Sequence, residues 1–169
     1  MNVLELNRLG QVFTASNQAE ATVTLINTST ATGFILSNPW GSGKKLALIS
    51  AQFTYTTVPT ARAIIFLAMS IAPSQIAHAS VTALTVYGAD GSGATGRAVG
   101  RAYNASTTPN LPVYTRTIGY APTTPATTGG LTLRANLNGE LILVPGAYVQ
   151  ISYITTAPAG ITDMVWAEI

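Results

Sequence analysis

The sequence predicts an all-β protein in which two sheets pack face to face within a single domain. Two observations predict this fold class. Apolar and polar residues alternate with a period of two in several segments, and turn-forming residues separate those segments. With 169 residues, 47% of them hydrophobic, the chain is long enough to bury a core. We assign the β-sandwich to residues 11–169, and residues 1–10 are a candidate for an N-terminal arm that leaves it.

The side-chain period predicts the individual strands. Residues 21–25, 46–55 and 147–155 each place apolar side chains at alternate positions, which indicates strands with one buried face. Residues 62–71 are apolar except for Arg62 and Ser70, so the period fits both a doubly buried strand and a short buried helix. The β-branched and aromatic side chains of that segment favour the strand. Residues 75–83 are expected to form one or two helical turns.

Two turn signals organise the C-terminal third. Asn138-Gly139 supplies the two positive φ values that a tight hairpin turn needs. Pro145-Gly146 fits the two central positions of a type II turn. The sequence therefore predicts a meander of three consecutive strands, followed by a last strand at residues 163–169. The three meander strands are residues 131–137, 140–144 and 147–155.

Charged side chains are unusually rare. They make up 8% of the residues, against about 25% in a typical soluble domain. Because charge is depleted at the cores of protein interfaces, this composition favours a surface largely in contact with other proteins, with a threonine-rich, solvated surface as the alternative. The Lys and Arg residues form no basic stripe, so nucleic-acid binding is not expected. The longest largely apolar run, residues 63–72, is interrupted by Ser70 and is about half of what a membrane span needs, so no membrane association is expected.

No residue pattern points to catalysis, a metal or a cofactor. The chain has no cysteine, and its single histidine, His78, is expected to have a structural or surface role because one histidine makes no multi-histidine site. The Asp and Glu residues show no paired spacing. Residues 91–96 match G-x-G-x-x-G, yet neither the helix nor the acidic residue of a dinucleotide site follows. We therefore expect a non-enzymatic protein without a cofactor.

Protein contacts are expected from loops and from the aromatic and basic residues in or beside them. Besides the arm, the expected contact loops are residues 38–45, 88–100 and 120–130. Trp40 is favoured as a contact because Pro39 and Gly41 flank it. Edge strands are normally protected by charge, so neighbouring subunits are expected to cover the edges of this sandwich. The candidate contact residues are Trp40, Lys44, Lys45, Arg97, Arg101, Tyr114 and Tyr120.

Two segments carry local patterns of known type. Residues 36–46 fit L-x-N-P-x-x-S-G-K-x-L, a strand–turn–strand pattern, and residues 144–149 followed by 164–168 combine a strand after Pro-Gly with a final W-x-E. Together these patterns resemble small jelly-roll virion proteins of tailed bacteriophages. The resemblance is strongest over residues 33–57 and 139–169 and weak between them.

The resemblance implies a jelly-roll sandwich and a place on the virion. The expected role is a cement or decoration protein on the capsid surface, which bridges major capsid protein subunits and associates with itself as a homodimer or homotrimer. The alternative is a tail or fibre module that binds a glycan receptor. A cleft lined by two or more loop aromatics near Asn or Asp would favour that alternative. Clustered histidines, or two carboxylates within about 5–10 Å in a cleft, would favour an enzyme.

Overall fold

The computed structural model describes residues 2–57, 61–121 and 131–169, and it is an all-β sandwich of two sheets, as predicted. One short helix, α1 (Val3–Arg8), precedes the strands of the described chain. The strands are β1 (Val12–Ser16), β2 (Ala21–Thr22), β3 (Thr24–Leu25), β4 (Thr30–Ala31), β5 (Ile35–Ser37), β6 (Leu46–Thr57), β7 (Ala63–Ser70), β8 (Ala79–Leu84), β9 (Tyr87–Gly88), β10 (Arg101–Thr107), β11 (Pro112–Ala121), β12 (Thr132–Asn136), β13 (Ile142–Leu143), β14 (Tyr148–Ile154) and β15 (Ala159–Glu168).

The two sheets contain seven and eight strands. The seven-stranded sheet runs β12–β6–β15–β1–β9, with β13 also on β6 and β2 also on β15. The eight-stranded sheet runs β11–β7–β14–β5–β10–β4, with β3 also on β14 and β8 also on β10. The described pairs are antiparallel except for the short parallel pair β3–β14. The chain passes from one sheet to the other at β5–β6–β7 and again at β13–β14–β15, which gives the jelly-roll-like character.

The core lies between the sheets and follows from the period of two. Inward side chains of both sheets interdigitate there, and Phe53, Ile65 and Trp166 are fully buried. Strands were predicted at residues 46–55 and 147–155, and β6 and β14 confirm both, although β14 is buried on both faces rather than one, since Gln150 and Ser152 are fully buried. The single strand predicted at residues 21–25 is wrong, because β2 and β3 belong to different sheets and Leu25 is exposed. Residues 62–71, left open between strand and helix, form β7.

The predicted C-terminal meander is wrong. Both β12 and β13 pair with β6 rather than with each other, and β14 belongs to the opposite sheet. Asn138 and Gly139 do adopt positive φ values of 49° and 84°. Their turn connects β12 and β13, which lie end to end along β6. Because β6 has 12 residues, it has room for both partners.

The Pro145-Gly146 turn has the predicted geometry but a different role. Gly146 has a φ of 87°, and the Ala147 amide donates to the Val144 carbonyl at 3.0 Å, as in a type II turn. The turn carries the chain from the seven-stranded sheet to the eight-stranded sheet. The predicted last strand, residues 163–169, lies in β15, which already begins at Ala159.

Residues 75–83 are not helical, contrary to the prediction. Residues 79–84 form β8 on the edge of β10, and the residues before them lie over the outer face of the eight-stranded sheet. There the ring of His78 lies 5.4 Å from Tyr103 and 5.3 Å from Tyr148, centroid to centroid. This layer buries Tyr148 completely, although its side chain points away from the main core.

The N-terminal residues lie on the domain. Asn2 and Glu5 form a capping box that starts α1. Leu6 is buried against Val12 and Ala167 on the outer face of the seven-stranded sheet. The segment that was a candidate arm is therefore packed on the sandwich over residues 3–8 in the single chain.

Candidate functional site

A buried carboxylate joins three segments at one end of the sandwich. Glu168 is completely buried, and its Oε1 accepts hydrogen bonds from the amides of Val99 and Gly100, both at 2.9 Å. The indole N–H of Trp166 donates to the same oxygen at 3.4 Å, and the ammonium of Lys44 lies 3.5 Å from Oε2. These donors stabilise a charge that would otherwise be costly to bury. The final W-x-E pattern therefore has a structural role: its glutamate holds the loops at residues 38–45 and 88–100 against the end of β15.

The loop at residues 38–45 is held from inside by Asn38. This side chain is completely buried, and its Nδ2 donates to the carbonyls of Lys44 at 2.8 Å and Leu143 at 3.0 Å. Its Oδ1 accepts a hydrogen bond from the Ser42 hydroxyl at 2.7 Å. Every polar atom of the amide thus has a partner, which fixes the conformation that presents Trp40.

Trp40 stands at the surface between two clefts. Its side chain is 54% exposed, although tryptophan is normally mostly buried. One edge of the ring rests on Gly146, where a Cβ would lie only 2.6 Å from Cε3 of Trp40. Trp40 contributes to the walls of both clefts.

The first cleft, here called the aromatic cleft, has a volume of about 220 Å³. Trp40 and Tyr103 both line it, together with His78 and polar residues of the segment that covers the eight-stranded sheet. Nδ1 of His78 lies 2.8 Å from the hydroxyl of Ser106, which fixes the ring. Burial lowers the pKa of His78, so its imidazole is neutral at neutral pH.

The second cleft, here called the basic cleft, lies on the other side of Trp40. It is lined by residues 39–42 and 96–99 and by Arg101. Arg97 pairs with Asp90 at 2.7 Å, and Arg101 donates to the carbonyl of Ala98 at 3.2 Å. Hydrogen bonds from Ser92 and then from Arg97 hold the pKa of the Asp90 carboxyl well below its ordinary value.

The structure thus brings together four of the candidate contact residues. Trp40, Arg97 and Arg101 line the basic cleft, and Lys44 is tied to the same end by Glu168. Lys45 is exposed, and its backbone pairs with Ile169 at 2.8 and 3.0 Å.

Tyr114 and Tyr120 lie elsewhere, on β11, the edge strand of the eight-stranded sheet. They are 53% and 62% exposed. The ring of Tyr114 lies 5.3 Å from that of the buried Phe66, and the guanidinium of Arg62 lies 6.0 Å from the centre of Tyr120. The contact loop expected at residues 120–130 falls largely outside the described residues, since only Tyr120 and Ala121 are described as part of β11.

The sequence pointed to Trp40 as a contact residue, but it did not place Tyr103, His78 and Gln75 beside it in one cleft. No local signal could have found this cluster, because it depends on how residues 71–78 cross the outer face of the sheet. Within the described ranges, no three His, Asp or Glu side chains come together to hold a metal ion. The helix of the described chain, α1, is too short to cross a membrane.

Comparison of the chain with models of protein families, with curated proteins and with solved structures gives no match. The resemblance to phage virion proteins therefore depends on the two segments that carry it.

Proposed function

We propose that this chain is a non-enzymatic structural protein of a virion, a cement protein on the capsid surface of a tailed phage. It bridges major capsid protein subunits and associates with copies of itself. The resemblance of residues 33–57 and 139–169 gives the virion context. The edge strand β11 is the structural observation that carries the proposal.

Strand β11 has the properties of a strand that needs a partner. It spans 10 residues at the edge of its sheet, and Val113, Tyr114 and Tyr120 on it are exposed. Arg116 is its one charged residue, and Glu140 forms an ion pair with it. An edge strand with so little protective charge is a template for association with another protein, through the backbone groups of its outer side and its exposed apolar side chains.

Weak contacts suffice for such a protein. A particle repeats the same capsid joints many times, so a cement protein that engages two or more subunits at once gains avidity without a tight individual contact. The mechanism is added buried area across joints, which resists separation of the subunits without any chemical step.

A receptor-binding module on a tail or fibre is the second candidate. One observation favours it: Trp40 of the loop at residues 38–45 and Tyr103 of β10 line the same cleft, and Asn38 also contributes to its wall. The amide of Asn38, however, is already engaged in holding its own loop.

Cryo-electron microscopy of the native particle distinguishes the two candidates. The cement role predicts copies that repeat over the shell, straddle capsid subunits and bury β11. Copies found only at a tail or fibre tip would contradict the cement role and support the receptor-binding role.

A further inference from the structure

We propose that the aromatic cleft binds one pyranose ring of a neutral saccharide, stacked on Trp40 and held by hydrogen bonds from Gln75, His78 and Tyr103. This inference deepens the receptor-binding candidate but does not depend on it, because the chemistry of the cleft is the same wherever the protein sits on a particle.

Trp40 supplies a preformed stacking surface. Its ring is half-exposed yet fixed, because Asn38 holds the loop and Gly146 supports the ring edge. A pyranose presents apolar C–H groups on its faces and hydroxyls around its rim. An exposed indole beside polar groups is complementary to both features, since the ring covers a face and the polar groups reach the rim.

Three polar groups of the cleft are available to a ligand. The side-chain amide of Gln75 and the hydroxyl of Tyr103 have no hydrogen-bond partner among the described residues. Nδ1 of His78 is used by Ser106, so Nε2 is the nitrogen that remains for a ligand. An amide, a hydroxyl and a neutral imidazole can each donate or accept, and this suits sugar hydroxyls, which do both.

Size and charge select the class of ligand. The cleft has about 220 Å³, below the roughly 300–1,000 Å³ of pockets for drug-sized molecules, so it suits a single small ring. Among the described residues that line it, none is Asp, Glu, Lys or Arg. An acidic sugar would find no ion pair there and would be better placed in the basic cleft beside Arg97 and Arg101.

The test uses the full chain in isolation and two readouts. Saturation-transfer NMR is recorded with the methyl glycosides of glucose, galactose, mannose and N-acetylglucosamine, and with N-acetylneuraminic acid as the anionic probe. Tryptophan emission is titrated in parallel. Because Trp166 is fully buried and Trp40 is exposed, a blue shift on saccharide addition reports Trp40.

The expected result is millimolar binding of at least one neutral glycoside with a blue shift of emission. Trp40→Ala and Gln75→Ala should each weaken binding by about tenfold or more, because each removes a direct ligand contact. Tyr120→Ala is the matched control: it removes another exposed aromatic, on β11, and should leave binding unchanged. Circular dichroism verifies that each variant is folded.

Three outcomes would overturn the proposal. One is the absence of any saturation transfer to the neutral glycosides. Another is binding that Trp40→Ala and Gln75→Ala leave intact. The third is binding of N-acetylneuraminic acid alone, abolished by Arg101→Ala, which would assign the ligand to the basic cleft. None of these outcomes depends on where the protein lies on a particle. The cement role is tested separately, by cryo-electron microscopy of the native particle.

Discussion

The carboxylate of Glu168 lies 3.5 Å from the ammonium of Lys44, yet the two side chains differ sharply in exposure: Glu168 is 0% exposed and Lys44 is 42% exposed. The buried partner is held mainly by the backbone amides of Val99 and Gly100. The ion pair therefore links a solvent-facing loop residue to a fixed anion inside the protein.

Replacing Glu168 by Gln should lower the free energy of unfolding by about 2–3 kcal/mol. The side-chain amide of Gln would offer the backbone amides of Val99 and Gly100 either an uncharged, weaker acceptor or an N–H₂ group that cannot accept. Urea unfolding followed by circular dichroism measures the change. Glu140→Gln is the control, since that carboxylate forms only an exposed pair with Arg116 and should cost no more than about 0.5 kcal/mol. Equal stability of the two variants would contradict the assigned role of Glu168.

Replacing Asn38 by Ala should destabilise the fold by about 2–3 kcal/mol, because the buried carbonyls of Lys44 and Leu143 lose their donor. It should also loosen the loop at residues 38–45, so acrylamide should quench Trp40 more strongly. Asn136→Ala, at an exposed position on β12, serves as the reference and should change neither quantity. Unchanged quenching in the Asn38 variant would mean that other contacts hold the loop.

Protonation of His78 should make stability depend on pH. Burial lowers the pKa of His78 below its ordinary 6.5, so the unfolded chain binds the proton more readily than the folded chain. The free energy of unfolding should therefore fall as the pH decreases through 6.5, and level off below the folded-state pKa. Urea unfolding at pH 7.5, 6.5 and 5.5 measures this slope. In His78→Gln the slope should be lost, and a slope that persists in this variant would assign it to another group.

A lysine on the edge strand should block association. Tyr114→Lys places a charge on the exposed surface of β11, where a partner would have to desolvate it. We expect at least about a tenfold loss of particle occupancy or self-association, measured by quantitative gel analysis of purified particles and by sedimentation velocity. Gln18→Lys adds the same charge at an exposed position away from β11 and should have no effect. Full occupancy by the Tyr114 variant would exclude β11 as the contact.

Strands with an alternating pattern could be predicted because apolar side chains at every second position mark the face that packs on the core, although the pattern did not predict that Gln150 and Ser152 on the other face of β14 are also buried. In β6 and β14 the inward positions are the apolar ones, and no knowledge of the partner strand was needed. Pairing was not predictable in the same way. Asn138-Gly139 fixes two local φ values, but the partner of each flanking segment is β6, far away in the sequence.

The same distinction applies to the candidate site. Trp40 could be selected because Pro39 and Gly41 place it in a turn, and the structure presents it at the surface. The aromatic cleft combines residues from four separate regions of the sequence, so only the topology brings Trp40, Gln75 and Tyr103 together. His78 was expected to have a structural or surface role, and its contacts with Tyr103 and Tyr148 agree with a structural one.

The end-to-end arrangement of β12 and β13 on β6 also makes this protein a scaffold for displaying foreign peptides. The turn at Asn138 protrudes between two segments that are each hydrogen-bonded to the same long strand. A peptide inserted there would be anchored at both of its ends, without extending an edge or entering the core. In the proposed capsid role, the copies on one particle would present the inserted epitope as a dense array.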